Sequence, residues 1–82
     1  MKLPRDLTGA QLIKALERLD YRPTRQTGSH VRLTAPLTDG EHHLTVPLHD
    51  PLRIGTLAAI LADVAAHRGM IRDALISALF GK

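Results

Sequence analysis

Residues 25–34 read RQTGSHVRLT, and their alternation determines how the two faces of a sheet are assigned. Val31 and Leu33 are apolar and lie two residues apart, which places them on one face of a strand because successive side chains point to opposite faces. The opposite face carries His30, Arg32 and Thr34. The pattern predicts a strand over Ser29–Ala35 with an apolar side for the core and a polar side that displays His30.

The segments on either side of this stretch extend the sheet. Tyr21–Gln26 is predicted to be a short strand, and Pro23 makes it an edge strand because proline cannot donate to a ladder. A turn signal at Thr27-Gly28 separates it from the central strand. Asp39-Gly40 marks the next connection, after which His42–Leu48 is predicted to be a third strand. In that strand one side carries Leu44, Val46 and Leu48, and the other carries His43, Thr45 and His49.

Helical periodicity precedes and follows these strands. Gly9–Leu19 is predicted to be the first helix, and Thr8 followed by Gln11 has the pattern of a capping box. A second helix is predicted over Gly55–His67 from the apolar spacing of its leucines and alanines. The segment Met70–Lys82 predicts a further short helix. Its apolar positions are Ile71, Leu75, Ala78 and Leu79.

This element order predicts the fold class. Strands joined by short turns pair antiparallel, and both main helices have to cover the apolar side of the sheet. The chain is therefore expected to be one domain, 1–82, with an α+β two-layer sandwich of order α-β-β-β-α, a three-stranded antiparallel sheet and an added C-terminal helix. Double-stranded-RNA-binding domains have this arrangement. The predicted core residues are Leu16, Val31, Leu33, Val46, Leu57 and Leu61.

Composition excludes several classes of protein. Aromatic residues make up 2% of the chain, which argues against modules that stack aromatic rings on bases. There is no cysteine, so disulfides and thiolate zinc sites are excluded. The first ten residues lack the apolar core of a signal peptide, and no apolar run reaches the ~20 residues that span a membrane. These features lead us to expect a cytoplasmic protein with no membrane contact.

Charge is distributed unevenly along the chain. The net charge is +3, and no Asp or Glu occurs between Tyr21 and Thr38, where Arg22, Arg25 and Arg32 lie. A local basic field suits an anionic partner such as RNA, although a solvated strand face would have the same composition.

Two blocks of sequence resemble a known family. Gly28–His30, preceded by Arg25-Gln26, looks like the signature of HicA toxins, which are small bacterial mRNA interferases. Thr45–Leu61, TVPLHDPLRIGTLAAIL, is similar to the family's pattern of Thr-Val-Pro, then His, then Gly-Thr-Leu at the start of a helix. The resemblance covers about residues 8–65. The chain departs from the family pattern at Leu33, where an aromatic residue is common, and in the additional segment 70–82.

The resemblance implies a set of roles. It implies an RNA-cleaving toxin of a type II toxin–antitoxin system, with His30 catalytic and a HicB-type antitoxin covering the His30 surface. No cofactor is expected, and no DNA contact is expected by this chain alone. The residues expected to bind RNA are Arg22, Arg25, Gly28, Ser29 and Arg32.

The chemistry of these side chains agrees with that role. RNA carries its own nucleophile, the 2′-hydroxyl, and cleavage requires a base for its proton and donors for the phosphate charge. A histidine side chain is ordinarily mostly neutral at pH 7 and can accept a proton. Arg32, on the same face as His30, could bind a phosphate through two N–H groups. No general acid is evident. A non-catalytic RNA-binding module and a protein-interaction domain remain alternatives.

A metal site is not expected from the remaining histidines. His42 and His43 are adjacent in a predicted strand and point to opposite faces, so they cannot bind one ion together. No Asp or Glu pair completes a site at standard spacing. His67, near the end of the second helix, is interpreted as a favourable contact with the helix dipole.

Overall fold

The computed structural model describes residues 3–81 and contains three helices and three strands. A short 3-10 turn, Glu17–Leu19, extends the first helix. The elements in chain order are α1 (Gly9–Leu16), β1 (Arg22–Thr27), β2 (His30–Leu37), β3 (Gly40–Pro47), α2 (Ile54–Arg68) and α3 (Arg72–Phe80). The predicted α+β class, with a helix, a three-stranded sheet and two C-terminal helices, is confirmed.

The sheet is antiparallel throughout and has the order β1-β2-β3. Both connections are two-residue turns, Gly28-Ser29 and Thr38-Asp39. Gly28 has φ +58°, a conformation that a residue with a Cβ adopts at a cost, and only Gly28 of the first turn has a positive φ. Positive φ at the first central position is the pattern of type II′ hairpin turns, whose twist matches that of the strands. Ser29 therefore belongs to the turn, and the predicted start of the strand at Ser29 is one residue early.

The start of α1 is fixed to the end of β3. Thr8 Oγ1 accepts from the Gln11 amide, and Gln11 Oε1 accepts from the Thr8 amide, which confirms the predicted capping box. The Gly9 amide donates to the His49 carbonyl at 2.9 Å. A Cβ at position 9 would lie 2.0 Å from the Pro47 carbonyl oxygen, so only glycine allows this close approach.

The core lies between the sheet and the helices. All six predicted core residues are buried, which confirms the apolar side of β2 and β3. The β1 side chains are exposed along the whole strand, so β1 extends the sheet without contributing to the core. The fully buried large side chains are Leu12, Leu16, Tyr21, Leu33, Val46, Leu57, Val64, Leu75 and Leu79.

Two residues that were predicted to lie on the apolar side of their element are exposed. Leu48 lies past the end of β3 and is 38% exposed, although its amide still donates to the Ser29 carbonyl at 2.6 Å. Ile71 precedes α3 and is 75% exposed, whereas Ile76 is buried instead. In both cases the element begins or ends one or two residues away from the position that the periodicity indicated.

The helix α3 is part of the same core and not an appendage. Leu75, Ile76 and Leu79 are buried against the other helices. Arg18 donates to the Gly81 carbonyl at 2.9 Å, which satisfies a backbone acceptor at the end of α3.

In the described part of the chain, no single helix has the length and apolar character needed to cross a membrane. The helices α2 and α3 pass that test only when taken together, and they are bent by 104° at the break between them.

Candidate active site

His30 is the first residue of β2 and lies directly after the Gly28-Ser29 turn. It is exposed, and its cross-strand partners are Thr27 on β1 and Pro47 on β3. Val31, the next residue, is buried with 6% of its surface exposed. The buried valine fixes which way the strand faces, and His30 is consequently displayed on the side away from the helices.

A shallow depression of about 200 Å³ surrounds the imidazole. The registers explain its composition, because Arg25 on β1 and Thr45 on β3 both lie opposite Arg32 of β2. One cross-strand row thus supplies two guanidinium groups and a hydroxyl beside His30. The residues that line the depression are Arg25, Thr27, His30, Arg32 and Thr45.

The charge of this depression is of one sign. Arg25 and Arg32 are direct cross-strand partners, and like charges in that position destabilise a sheet. No carboxylate is among the lining residues that would offset them. A bound anion would relieve the repulsion, and guanidinium groups can hold a phosphate through paired N–H bonds. The depression therefore places two guanidinium groups and no carboxylate beside the His30 imidazole.

The turn that precedes His30 is held by a side chain. Gln26 Nε2 donates to the Gly28 carbonyl at 3.0 Å. On the other side of the turn, the Ser29 carbonyl accepts from the Leu48 amide. Both contacts fix the backbone immediately before His30, whereas neither Gly28 nor Ser29 lines the depression.

Arg22 lies apart from this group. Its Nη1 donates to the carbonyls of Glu17 and Tyr21 at 3.2 and 3.3 Å. Its strand position is opposite Thr34, at the far end of the β1–β2 ladder from His30. The structure therefore brings Arg25, Arg32 and His30 together. Arg22 instead donates a hydrogen bond to a carbonyl of the 3-10 turn.

Sequence reasoning did not include two hydroxyl residues of the depression, Thr27 and Thr45, among the site residues. Period-two alternation does place Thr45 on the polar side, but only the strand register puts it opposite Arg32. A series of hydrogen bonds between hydroxyl groups and a histidine lies further along the same face. Thr24 Oγ1 is 2.9 Å from Thr34 Oγ1, which is 2.8 Å from His43 Nδ1.

The fold and this face define a small α+β domain with a basic, histidine-bearing sheet surface opposite its helices. Comparison with protein-family models gives one match, the HicA toxin of bacterial toxin-antitoxin systems, over residues 9–65. That span runs from the start of α1 into the last turns of α2 and includes every residue of the depression. The chain belongs to the HicA toxin family. No curated protein and no solved structure matches it.

Proposed function

We propose that this protein is a ribosome-independent mRNA interferase, the toxin of a type II toxin–antitoxin pair, and that His30 is its general base. The observation that carries the proposal is the exposed imidazole of His30 beside the opposed pair Arg25 and Arg32. Family membership supports the toxin role, and the depression supplies the groups that RNA cleavage needs.

The proposed step uses the RNA's own nucleophile. His30 removes the proton of a 2′-hydroxyl, the 2′-oxygen forms a bond to phosphorus, and the bond from phosphorus to the 5′-oxygen breaks. The Arg25 and Arg32 guanidinium groups stabilise the charge that develops on the phosphate oxygens. Since no carboxylate or second imidazole lines the depression, water supplies the proton to the departing 5′-oxygen. The products would be a 2′,3′-cyclic phosphate and a 5′-hydroxyl end.

The decisive experiment compares wild-type protein with His30→Ala on RNA in the presence of EDTA. We expect the variant to lose cleavage by about 10²–10⁴-fold, the range that a positioned base supplies. Its free energy of unfolding should change by no more than about 0.5 kcal/mol because the side chain is exposed. EDTA should leave wild-type cleavage unchanged.

Two controls make this comparison specific. His43→Ala removes another exposed histidine of the same face, outside the depression, and should cleave at the wild-type rate. An RNA with a 2′-deoxynucleotide at the cleavage position should resist the wild-type protein. A folded His30→Ala variant that cleaves as fast as wild type would refute the catalytic role.

We further propose that a HicB-type antitoxin covers the His30 surface. No element in residues 3–81 shields the depression, whose lining is exposed on the side away from the helices. Expression of the toxin alone should arrest growth, and co-expression of its antitoxin should restore it. Soluble, harmless expression of the wild-type chain would instead favour a non-catalytic RNA-binding module.

A further inference from the structure

A second cluster of histidine and carboxylate groups lies on the helix side of the sheet. His42, on β3, is 4% exposed and is the buried polar side chain of the described core. Its Nε2 is 3.2 Å from Asp63 Oδ2, and Asp63 Oδ1 is 3.1 Å from His67 Nδ1. Asp63 and His67 lie one turn apart on α2, so a single face of that helix presents both to His42.

We propose that His42, Asp63 and His67 bind a divalent transition-metal ion of the zinc type. One ligand atom from each residue lies within 4.8 Å of the others. Two imidazole nitrogens and one carboxylate oxygen form a donor set that suits zinc, with typical metal–ligand distances of about 2.0–2.2 Å. The ion would draw the three atoms together and take water as a fourth ligand.

His42 is already oriented as a ligand. Tyr21 Oη lies 2.6 Å from His42 Nδ1, and Tyr21 is fully buried. Metal-binding histidines use their second ring nitrogen in such a hydrogen bond, which fixes both the tautomer and the ring plane. In the structure Nε2 is paired with Asp63 Oδ2 at 3.2 Å. Metal binding would replace that contact: with Nδ1–H donating to Tyr21 Oη, the Nε2 lone pair would bind the ion beside the Asp63 carboxylate.

Metal binding requires the His67 ring to turn and to give up the contact of its Nδ1 with the Asp63 backbone carbonyl, 3.0 Å away. The His42 and His67 rings are stacked 3.8 Å apart with an angle of 12° between their planes. A metal ion lies in the plane of each imidazole that binds it, so near-parallel rings cannot both reach one ion. His67 is 47% exposed on the last turn of α2, and its ring can turn while Tyr21 and the core hold His42 in place.

The charged groups around the cluster include acids that would favour a bound cation. Asp63 supplies the one carboxylate among the three ligands, while the Arg68 guanidinium lies 6.0 Å from the centre of the Tyr21 ring. Asp39 and Glu41 line the depression of about 740 Å³ that His67 and Arg68 also border. These two acids offset Arg68 and border the solvent route by which a hydrated ion would enter.

The site would be structural and separate from the proposed cleavage site. His42 points to the helix side of β3, whereas His43 and the His30 depression lie on the opposite side. A bound ion would link β3 to the end of α2 and stabilise the folded state by mass action. The proposal depends only on the fold, so it can fail while the cleavage proposal stands, and the reverse also holds.

The test measures thermal unfolding of protein without an affinity tag, with EDTA or with excess zinc chloride. At free zinc about 100-fold above its dissociation constant, a domain of this size should gain about 10–20 °C in Tm. Cobalt(II) should bind with a stoichiometry of one and give the visible absorption of a tetrahedral or five-coordinate ion. Absence of both effects with zinc and cobalt would overturn the proposal.

Three variants assign the effect to these residues. Asp63→Asn and His67→Ala change half-exposed side chains, so both should fold in EDTA and both should lose the zinc-dependent gain in Tm. His43→Ala, on the other face, should keep the whole gain. If the two cluster variants keep the wild-type response to zinc, the ion binds elsewhere and the site is wrong.

Discussion

Gly9 lies where the first turn of α1 passes over the end of β3. A Cβ there would lie 2.0 Å from the Pro47 carbonyl oxygen and 2.9 Å from the Leu48 Cα, and both are backbone atoms. Such atoms move only if the α1–β3 junction opens. The residue therefore controls how closely the first helix approaches the sheet.

Replacing Gly9 by Ala should destabilise the protein by at least about 1–3 kcal/mol, the usual cost of overpacking a core site. Urea unfolding measures this change. Gly55→Ala is the matched control, since it lies in α2, has no positive φ and has no atom within 4 Å of the added Cβ. That variant should gain stability by up to about 1 kcal/mol from helix propensity. Equal stability of the two variants would show that the α1–β3 contact is looser than described.

Tyr21 should report on folding at alkaline pH. Burial raises the pKa of its hydroxyl above the usual 10.0, and the Asp63 carboxylate adds to the rise while Arg68 opposes it. The unfolded chain therefore loses this proton at a lower pH than the folded chain does. Stability from this group is fully present below pH 10 and declines as pH rises towards the folded-state pKa.

The measurement is a spectrophotometric titration of tyrosinate, which is unambiguous because the chain has one Tyr and no Trp. The native protein should ionise at higher pH than the same protein in urea. Coincident titration curves would contradict the burial of Tyr21 beside His42.

At this scale, sequence reasoning correctly placed His30 and Arg32 on one face of β2, because alternation alone determines which residues share a face. It could not identify the partners of His42, which are 21 or more residues away and belong to a different element. It also placed Arg22 with the other arginines, although local carbonyls of the 3-10 turn bind its guanidinium. The sequence shows which segment of the chain is basic. Only the three-dimensional structure shows which groups each arginine contacts.

Among the elements, α3 is the one that lies outside the family match of residues 9–65. It contributes Leu75 and Leu79 to the core with 0% and 2% of their surfaces exposed. Its C-terminal end accepts hydrogen bonds from Arg18. The helix should therefore be needed for stability, even though the family pattern does not include it.

Leu75→Ala should cost about 2–5 kcal/mol because it leaves a cavity among packed helices. Ile71→Ala, at a position 75% exposed, should change stability by less than about 0.5 kcal/mol. Thermal unfolding of both variants checks the contrast. If Leu75→Ala melted with the wild type, α3 would be an accessory to the domain.

The sequence predicted the existence, type and order of these elements, since each has a clear period and several have cap or turn residues. It was less accurate at their ends. Leu48 fits the alternation of β3, but the strand ends at Pro47, and two residues later the His49 carbonyl accepts from the Gly9 amide at the start of α1. Exact boundaries depend on such tertiary contacts, which a period does not contain.

For the molecule as a whole, the net charge of +3 matters less than the pairing of Arg25 with Arg32 on the polar sheet face, in a depression lined by no carboxylate. RNA binding through Arg25 and Arg32 should weaken as salt rises, because each phosphate contact releases counterions. Arg32→Ala should reduce the slope of log K against log salt by about 1. Arg53→Ala, which removes an arginine outside the depression, should leave the slope unchanged. A salt-independent affinity would favour the protein-interaction alternative.

The exposure of β1 on both of its sides has a consequence for local stability. Since no β1 side chain is buried, detachment of this strand from β2 would withdraw no β1 side chain from the core, and its outer edge has no partner strand in residues 3–81. Its amide protons should therefore exchange with deuterium faster than those of β2 and β3, which open only with the core. Arg25 would then lie on a strand that can separate from Arg32 and His30. The distance between Arg25 and these two residues would vary, and an RNA or an antitoxin could bind at more than one such distance.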